Sequence, residues 1–574
     1  MDDNILNTFK LPIEYTDYNL VEKHIIDDLE LDKETNPYSL LINDKSELGK
    51  IIEKKWCNYY SHDKKFIKSQ QKLFKNIKKI PGDELNDLHD NIANINNYYS
   101  KWNEIKILNR EDFINKYDFV SWNHLNILNK YPLFLQCMTY YNLSSPLINI
   151  MLPIILMVVP FFIIKMTMKE PITFGLYKSL LFNQLKNHSI GKVLYSFCGD
   201  DDCVDMNTKI YAASSFAIYL FTIYQNILSC IKFYKNAFFI QSYLYDTKNF
   251  IESCNTVKNI IDKYTPNKIN NEFSIVLDKY TDNINMLNDT INGVDRENFS
   301  ISNINNVGSM MHTFYEMFTD SDTDTTILYW FGYSGYVSNI LGFVERLNKG
   351  DITSAKISSN KKTSFNGIYY PFYIDSIDNV INDVKIDKNI IITGPNASGK
   401  TTILKSVFIN ILLTQQFGYG CYSKCTLTPY NRLFSYINIP DTSDRDSLFQ
   451  AEARRCLGIL DYIREKDNKN SICFCIFDEL FSGTNPDEAQ KSALAFLKYL
   501  KKHNVDLLLT THFNKIKTLN DNKYRQKHMD VIDDNESGNI KYTYKIKNGY
   551  SNVNGAIRVL RDMNYPEEII NELS

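Results

Sequence analysis

The sequence predicts an α/β domain with a mostly parallel sheet at the carboxyl-terminal end, preceded by a largely α-helical half. Three observations carry this expectation. Up to residue 349 apolar residues recur at helical spacing, with few Gly or Pro breakers. Beyond Gly350 short β-type runs alternate with helical ones, as in sheets built by crossover connections. At 389–402 an apolar strand, a Gly-rich loop and a helix follow one another directly. At 574 residues the chain exceeds one hydrophobic core, since domains hold about 150 residues. Four regions are expected: helical at 1–140, a pair of apolar helical segments at 141–235, lever-like helices at 236–349, and the α/β domain at 350–574.

Composition narrows the functional classes. Hydrophobic residues at 44% and charged residues at 23% fit a folded soluble protein rather than a disordered chain or a polytopic transporter. Lys plus Arg (64) nearly balances Asp plus Glu (67), so no global charge draws the chain to nucleic acid or an anionic membrane. Any basic surface must be local. Eleven scattered cysteines, and a start, MDDNILNTFK, without the sections of a secretory signal, lead us to expect an intracellular protein that is not secreted. Cys198/Cys203 and Cys421/Cys425 have tolerable metal spacing, but no His or second Cys pair accompanies them at zinc-finger distance, so no metal site is expected there.

The first region, to about residue 135, reads as helical bundle material around Trp56, Trp102 and Trp122. Within it Lys64, Lys65, Lys68, Lys72, Lys75, Lys78 and Lys79 surround Ile67, Phe74 and Ile77. A solvated basic face over a core stripe is the simpler reading; contact with phosphate or lipid is the other. The second region holds two uncharged stretches, 147–164 and 210–231, each long enough to cross a bilayer. Against spanning, a hairpin would carry Lys165, Lys169, Lys178, Lys186, Lys192 and Lys209 to the far side. Core burial or a partner surface is the competing reading, and Ser214, Ser215, Thr222, Gln225 and Asn226 suit a buried amphipathic helix too. The third region is helical, with an Asn/Asp-rich loop expected at 285–306.

The chemistry concentrates in the last region. NIIITGPNASGKTT supplies what a triphosphate requires: inward backbone N–H groups, glycines that let the main chain approach, a helix N-terminus and a cation. Gly394, Pro395, Asn396, Ala397, Ser398, Gly399, Lys400, Thr401 and Thr402 are therefore expected to bind nucleotide. Lys400 would reach the β- and γ-phosphates, and the Thr401 hydroxyl would complete a Mg²⁺ shell. A second strand, SICFCIF, leads into Asp478 and Glu479. Asp478 is expected to hold the metal and Glu479 to act as the base that activates water. A third strand, VDLLLTTHF, presents His512 at its carboxyl end as a sensor of water or γ-phosphate.

The stretch from about residue 368 to 574 resembles the ATPase domain of the MutS mismatch-repair family, in the branch of P-loop ATPases shared with ABC transporters. GPNASGKTT is similar to its Walker A. FDELFSGTNPDEA (477–489) resembles its Walker B with the signature loop, and TTHF (510–513) its His switch. SLFQAE (447–452), Asn382-Asp383 and KIKNGYSNVNGAIRVLRDMNYPEEIINEL resemble further family elements in the family's order. The resemblance implies ATP and Mg²⁺ as cofactors, and a composite site in which two domains meet head to tail. Ser482 of one subunit would then contact the phosphate held by Lys400 of the other, in a homodimer or a MutS-like heterodimer.

Departures accompany the likeness. Ser398 stands where the family has a second Gly, and the signature loop leans toward the transporter form. Nothing near the start resembles the mismatch-reading domain. MHTFYEMFTD (311–320) copies its Phe-x-Glu wedge motif, but in helical sequence just before the ATPase, where Phe314, Met317 and Phe318 are more simply core residues. The leading expectation is an ATP-hydrolysing clamp on double-stranded or branched DNA, serving mismatch repair or recombination. The alternative is a membrane-associated ATPase of the same type that works through 147–164 and 210–231 without a direct DNA role.

Overall fold

The computed structural model describes residues 2–122, 124–167, 173, 175–179, 206–265, 271–291, 293–294, 301–359, 363–377, 379–437, 439, 448–465, 471–513, 516, 522–534, 539–551, 563, 565–566 and 568–569. The chain divides into two compact units, one of 1–97, 253–282 and 325–574 and one of 98–252 and 283–324. This grouping differs from the four successive regions read from the sequence, because the first 97 residues share a unit with the α/β part.

Thirteen strands lie among the described residues. In the first unit β1 (Tyr18–Leu20) and β2 (Tyr59–Ser61) form a small antiparallel pair within sequence that reads as mostly helical. The next strands are β3 (Thr353–Ile357), β4 (Thr363–Ile368), β5 (Asn382–Ile386), β6 (Asn389–Thr393), β7 (Tyr419–Gly420), β8 (Lys424–Leu427) and β9 (Arg432–Tyr436). They are followed by β10 (Cys473–Asp478), β11 (Val505–Thr510), β12 (Tyr524–Asp534) and β13 (Asn539–Asn548). The main sheet runs β13-β12-β6-β11-β10-β9 and is parallel except where β13 closes its edge antiparallel to β12. Every residue of β6 is buried, and so is all of β10 except its last residue. That is the apolar run of a parallel strand covered on both faces. A second sheet, β5-β4-β8-β3-β7, is antiparallel apart from the β3–β8 pair.

Register fixes the site. Asp478 pairs with Thr510, and Thr510 pairs with Ile392, so the carboxyl ends of β10, β11 and β6 align on one edge. Ligands of open α/β sheets gather at such an edge. The helix Lys400–Phe417 follows β6 and is buried nearly all round, as a helix apolar on every side must be.

Part of its cover comes from the amino-terminal segment. Gln416 Nε2 donates to the carbonyls of Trp56 and Tyr59, both at 2.7 Å, and Gln415 Nε2 to Ser61 at 3.1 Å. Gln71 Nε2 donates to the Gly418 and Ala355 carbonyls at 2.7 and 2.8 Å. The helix Lys64–Ile77 buries Phe66, Ile67, Leu73, Phe74 and Ile77, while Lys65, Lys68, Lys72 and Lys75 remain exposed. The core stripe beneath a basic face expected there is present.

The second unit is helical among its described residues. Phe314 is 1% exposed, with ring centroids of Tyr117, Tyr243 and Phe113 at 5.0, 5.3 and 5.3 Å, so the wedge-like motif is core. The loop expected from residue 285 begins later, since the helix Asn271–Ile291 continues to its stated end and Val307–Thr319 is helical again. Ser447, Cys198, Cys203, Lys169, Lys186, Lys192 and the closing helical sequence at 552–562 lie outside the described residues.

Candidate nucleotide site

The loop after β6 turns through three residues of positive φ: Gly394 at 158°, Ala397 at 60° and Gly399 at 91°. Only glycine adopts such angles at no steric cost, so the two glycines set the path and Ala397 carries strain. Ser398 Oγ donates to the Pro395 carbonyl at 2.7 Å and braces the loop. Asn396 and Ala397 are exposed at its tip, while Ser398 and Lys400 are buried. Lys400 Nζ lies 3.1 Å from the Gly394 carbonyl, 3.2 Å from that of Pro395 and 3.0 Å from His512 Nε2. The cation is thus already inside the turn it would share with a phosphate.

Asp478 and Thr401 meet as a cation site requires. Thr401 Oγ1 donates to Asp478 Oδ2 at 2.6 Å, and Thr510 Oγ1 donates to the other carboxylate oxygen. Among the described residues no group of three or more His, Cys, Asp or Glu side chains could hold a metal alone. A hydroxyl and one carboxylate suit a Mg²⁺ that brings phosphate and water oxygens as its remaining ligands. Cys421 and Cys425 are buried free thiols outside any such group.

Glu479 follows Asp478 at φ 54°, and Phe481 adopts φ 61°. Two non-glycine residues in this region cost about 1–3 kcal/mol each, the kind of strain that accumulates where side chains must be aimed. The Glu479 N–H donates to the Thr510 carbonyl and hydroxyl at 3.3 and 3.2 Å. Its Oε1 lies 2.9 Å from His512 Nε2 and 4.0 Å from Lys400 Nζ. The His512 hydrogen bond, and then the charges of His512 and Lys400, hold this carboxyl below the usual carboxylate range against the opposing effect of burial.

Ser482 is exposed and anchored from behind. Its N–H and hydroxyl both reach Glu452 Oε1 at 3.0 Å, and the Gly483 N–H reaches Oε2 at 3.2 Å. Glu452 itself is 2% exposed. The Phe481 N–H donates to Tyr436 Oη at 3.0 Å. In the sequence Glu452 and Thr510 stand out only as parts of motifs; nothing in it signals that they brace Ser482 and Asp478, or that Tyr436 holds Phe481.

Beside the loop lies a cavity of about 280 Å³, lined among others by Tyr370, Tyr373, Asn382, Gly399, Met529 and Tyr544. Thr402 also faces it. Of the aromatics at 369–373, Tyr370 and Tyr373 contribute, whereas the Tyr369 hydroxyl is taken by the Asp351 carbonyl. Asn382 ties the cavity wall to β13, accepting from the Ile546 N–H at 2.8 Å and donating to the Tyr544 carbonyl at 3.0 Å.

Comparison with known proteins gives a likeness for the part of the chain that carries this site. The family described as MutS domain V matches residues 390–574. The DNA mismatch repair protein MutS of Staphylococcus haemolyticus is 29% identical over 237 residues, which cover 40% of this chain and 26% of that protein. The Endonuclease MutS2 of Lactococcus lactis subsp. cremoris (strain SK11) is 31% identical over 208 residues, 35% of this chain and 25% of that protein. The chain thus spans about a quarter of the length of these curated relatives.

Proposed function

We propose, for a chain that belongs to the MutS family through residues 390–574, that it binds and hydrolyses ATP to work a clamp on DNA. The observation that carries this reading is the convergence of Lys400, Thr401, Asp478, Glu479 and His512 on one sheet edge. The glycine turn and Lys400 take the phosphates, and the cavity beside Gly399 takes the nucleoside between tyrosines. Thr401 and Asp478 hold Mg²⁺, which when bound offsets charge on the phosphates. Glu479, ionised and oriented by His512, accepts the proton of the attacking water.

Ser482 faces outward on a braced turn, which suits the head-to-tail arrangement in which it completes the site of an opposing copy or of a related subunit. ATP then joins the two domains, and hydrolysis releases them. For DNA, the exposed Lys65, Lys68, Lys72 and Lys75 share one side of a helix and supply the local basic surface that a phosphate backbone requires. Mismatch repair is the role carried by the name of the Staphylococcus haemolyticus relative, and recombination is proposed on the sequence resemblance alone.

The test is ATPase activity of the full chain alone and with duplex, mismatched and branched DNA, at low and high salt. Stimulation by DNA that fades with salt supports the reading. Hydrolysis indifferent to every DNA would remove the DNA part while leaving the ATPase.

A further inference from the structure

The helices Pro132–Thr167 and Met206–Tyr264 contain the uncharged stretches 147–164 and 210–231. At 1.5 Å per residue they extend about 27 and about 33 Å, close to the roughly 30 Å hydrocarbon thickness of a bilayer. Their apolar side chains are not gathered on one stripe. The consecutive pairs Leu147/Ile148, Val158/Val159 and Phe162/Ile163 are exposed on the first helix. On the second, Ile210/Tyr211, Leu220/Phe221 and Ile227/Leu228 are exposed. At about 100° per residue these side chains, with the exposed Ile150 on the first helix, spread over more than half of each helix's circumference, wider than the single stripe a core or one docked partner would cover. In the helix Ala213–Tyr264 the most apolar stretch is only 6% buried.

Backbone accounting points the same way. Pro153 has no N–H, so the Asn149 carbonyl four residues earlier loses its helical donor. The Tyr219 hydroxyl of the other helix donates to that carbonyl at 3.0 Å. Pro146 likewise frees the Asn142 carbonyl, which accepts from Ser145 Oγ at 3.1 Å. Ser214, Thr222 and Asn226 donate back to the carbonyls of Ile210, Ile218 and Thr222 at 2.8, 2.9 and 3.0 Å. The same back-bonds occur outside the stretches, at Thr247 and Thr281; within them they give these three side chains the partner that hydrocarbon would demand. Lys165, Lys209 and Lys232 bracket the stretches in sequence, and Lys165 is exposed at the end of the first, where a long side chain reaches the lipid–water boundary.

We infer that this helix pair inserts into the hydrocarbon of a lipid bilayer and ties the ATPase to a membrane. The inference goes beyond the nucleotide and DNA reading and rests on none of its residues. The second uncharged stretch runs back beside the first: Tyr219 meets Asn149 and Cys230 Sγ lies 3.6 Å from the Leu143 carbonyl, as in an antiparallel pair. One tyrosine thereby mends the proline break in its neighbour inside a solvent that could not.

The experiment mixes the full chain, exchanged out of detergent, with vesicles of phosphatidylcholine and phosphatidylglycerol, followed by flotation and carbonate washing. The natural sequence is expected to float and to stay with lipid through carbonate. The double variant Ile155→Lys, Phe221→Lys, placed at sites already 43% and 60% exposed, is expected to lose lipid retention at least about tenfold, in line with the cost of lysine at mid-bilayer. Ile155→Leu, Phe221→Leu should float like the natural sequence. ATP retention measured in the same samples reports on folding and on the nucleotide site separately.

Three results would overturn the inference: failure of the natural sequence to float, release of all protein by carbonate, or a detergent-free soluble dimer that the lysine variant dissociates. The last would make the surface an interface between copies. Loss of ATP retention with flotation intact would count against the nucleotide reading alone.

Discussion

His512 Nε2 stands 2.9 Å from Glu479 Oε1 and 3.0 Å from Lys400 Nζ, so one ring nitrogen lies between the acid and the cation of the site. A single nitrogen cannot donate to the carboxylate while accepting from the ammonium. The imidazole therefore commits to one partner at a time. Donation to Glu479 leaves Lys400 to its carbonyl partners and to phosphate, which is the arrangement the proposed hydrolysis needs.

Replacing Glu479 with Gln removes the proposed proton acceptor but keeps its size. Turnover should fall about 10²–10⁴-fold with nucleotide affinity retained, and sedimentation should show an ATP-stabilised dimer. A variant that stays monomeric with ATP at every concentration would refute the head-to-tail arrangement.

Lys400→Ala should abolish ATP retention, because it removes the one cation that, among the described residues, bonds to the carbonyls of the glycine turn. Equilibrium binding of a fluorescent ATP analogue measures this directly. Unchanged hydrolysis would mean that the loop does not hold the phosphates.

The depressed carboxyl of Glu479 has a consequence in acid. A base works above its pKa, so the acidic limb of kcat/KM should lie below the ordinary carboxylate range. His512→Ala removes the largest cause of the depression and should move that limb to higher pH. A limb unmoved in the variant would show that His512 does not set the base.

Glu53 is 7% exposed, with Asn36 Nδ2 at 3.4 Å, and burial raises its pKa from 4.5 to about 7. The folded state therefore binds a proton that the unfolded chain has released between these values. Stability from this source is full below pH 4.5, falls as pH rises toward 7, and is constant above. Glu53→Gln should stabilise the protein at pH 8 by about 1–3 kcal/mol and hardly at all at pH 4.5. Urea midpoints at the two pH values test it.

Glu452→Ala should loosen the turn bearing Ser482, since three hydrogen bonds lose their buried acceptor together. We expect a loss of about 2–4 kcal/mol in stability and slower ATP turnover. Glu452→Gln keeps an acceptor oxygen and should recover part of both. Turnover unaffected by either change would separate the turn from catalysis.

Much of the site was legible beforehand because its parts are local. GPNASGKTT carries its own turn angles and helix start, and the apolar runs before Asp478 and His512 announce strands whose ends must lie at one edge of a parallel sheet. The β1–β2 pair was not legible, since three-residue strands leave no period to count. The division into units was not legible either, because apolar spacing in Lys64–Ile77 says that a face is buried without saying against what.

Sequence alone determined the likeness of the carboxyl-terminal region to MutS domain V, the order of the motifs and the presence of two uncharged stretches of bilayer length, all properties of neighbouring residues. Only the tertiary structure decided that Glu452 braces Ser482, that His512 is contested by Glu479 and Lys400, and that Tyr219 serves the carbonyl freed by Pro153. Each of these joins groups far apart in the chain, and a hydrogen bond acts over about 3 Å of space whatever the separation in sequence.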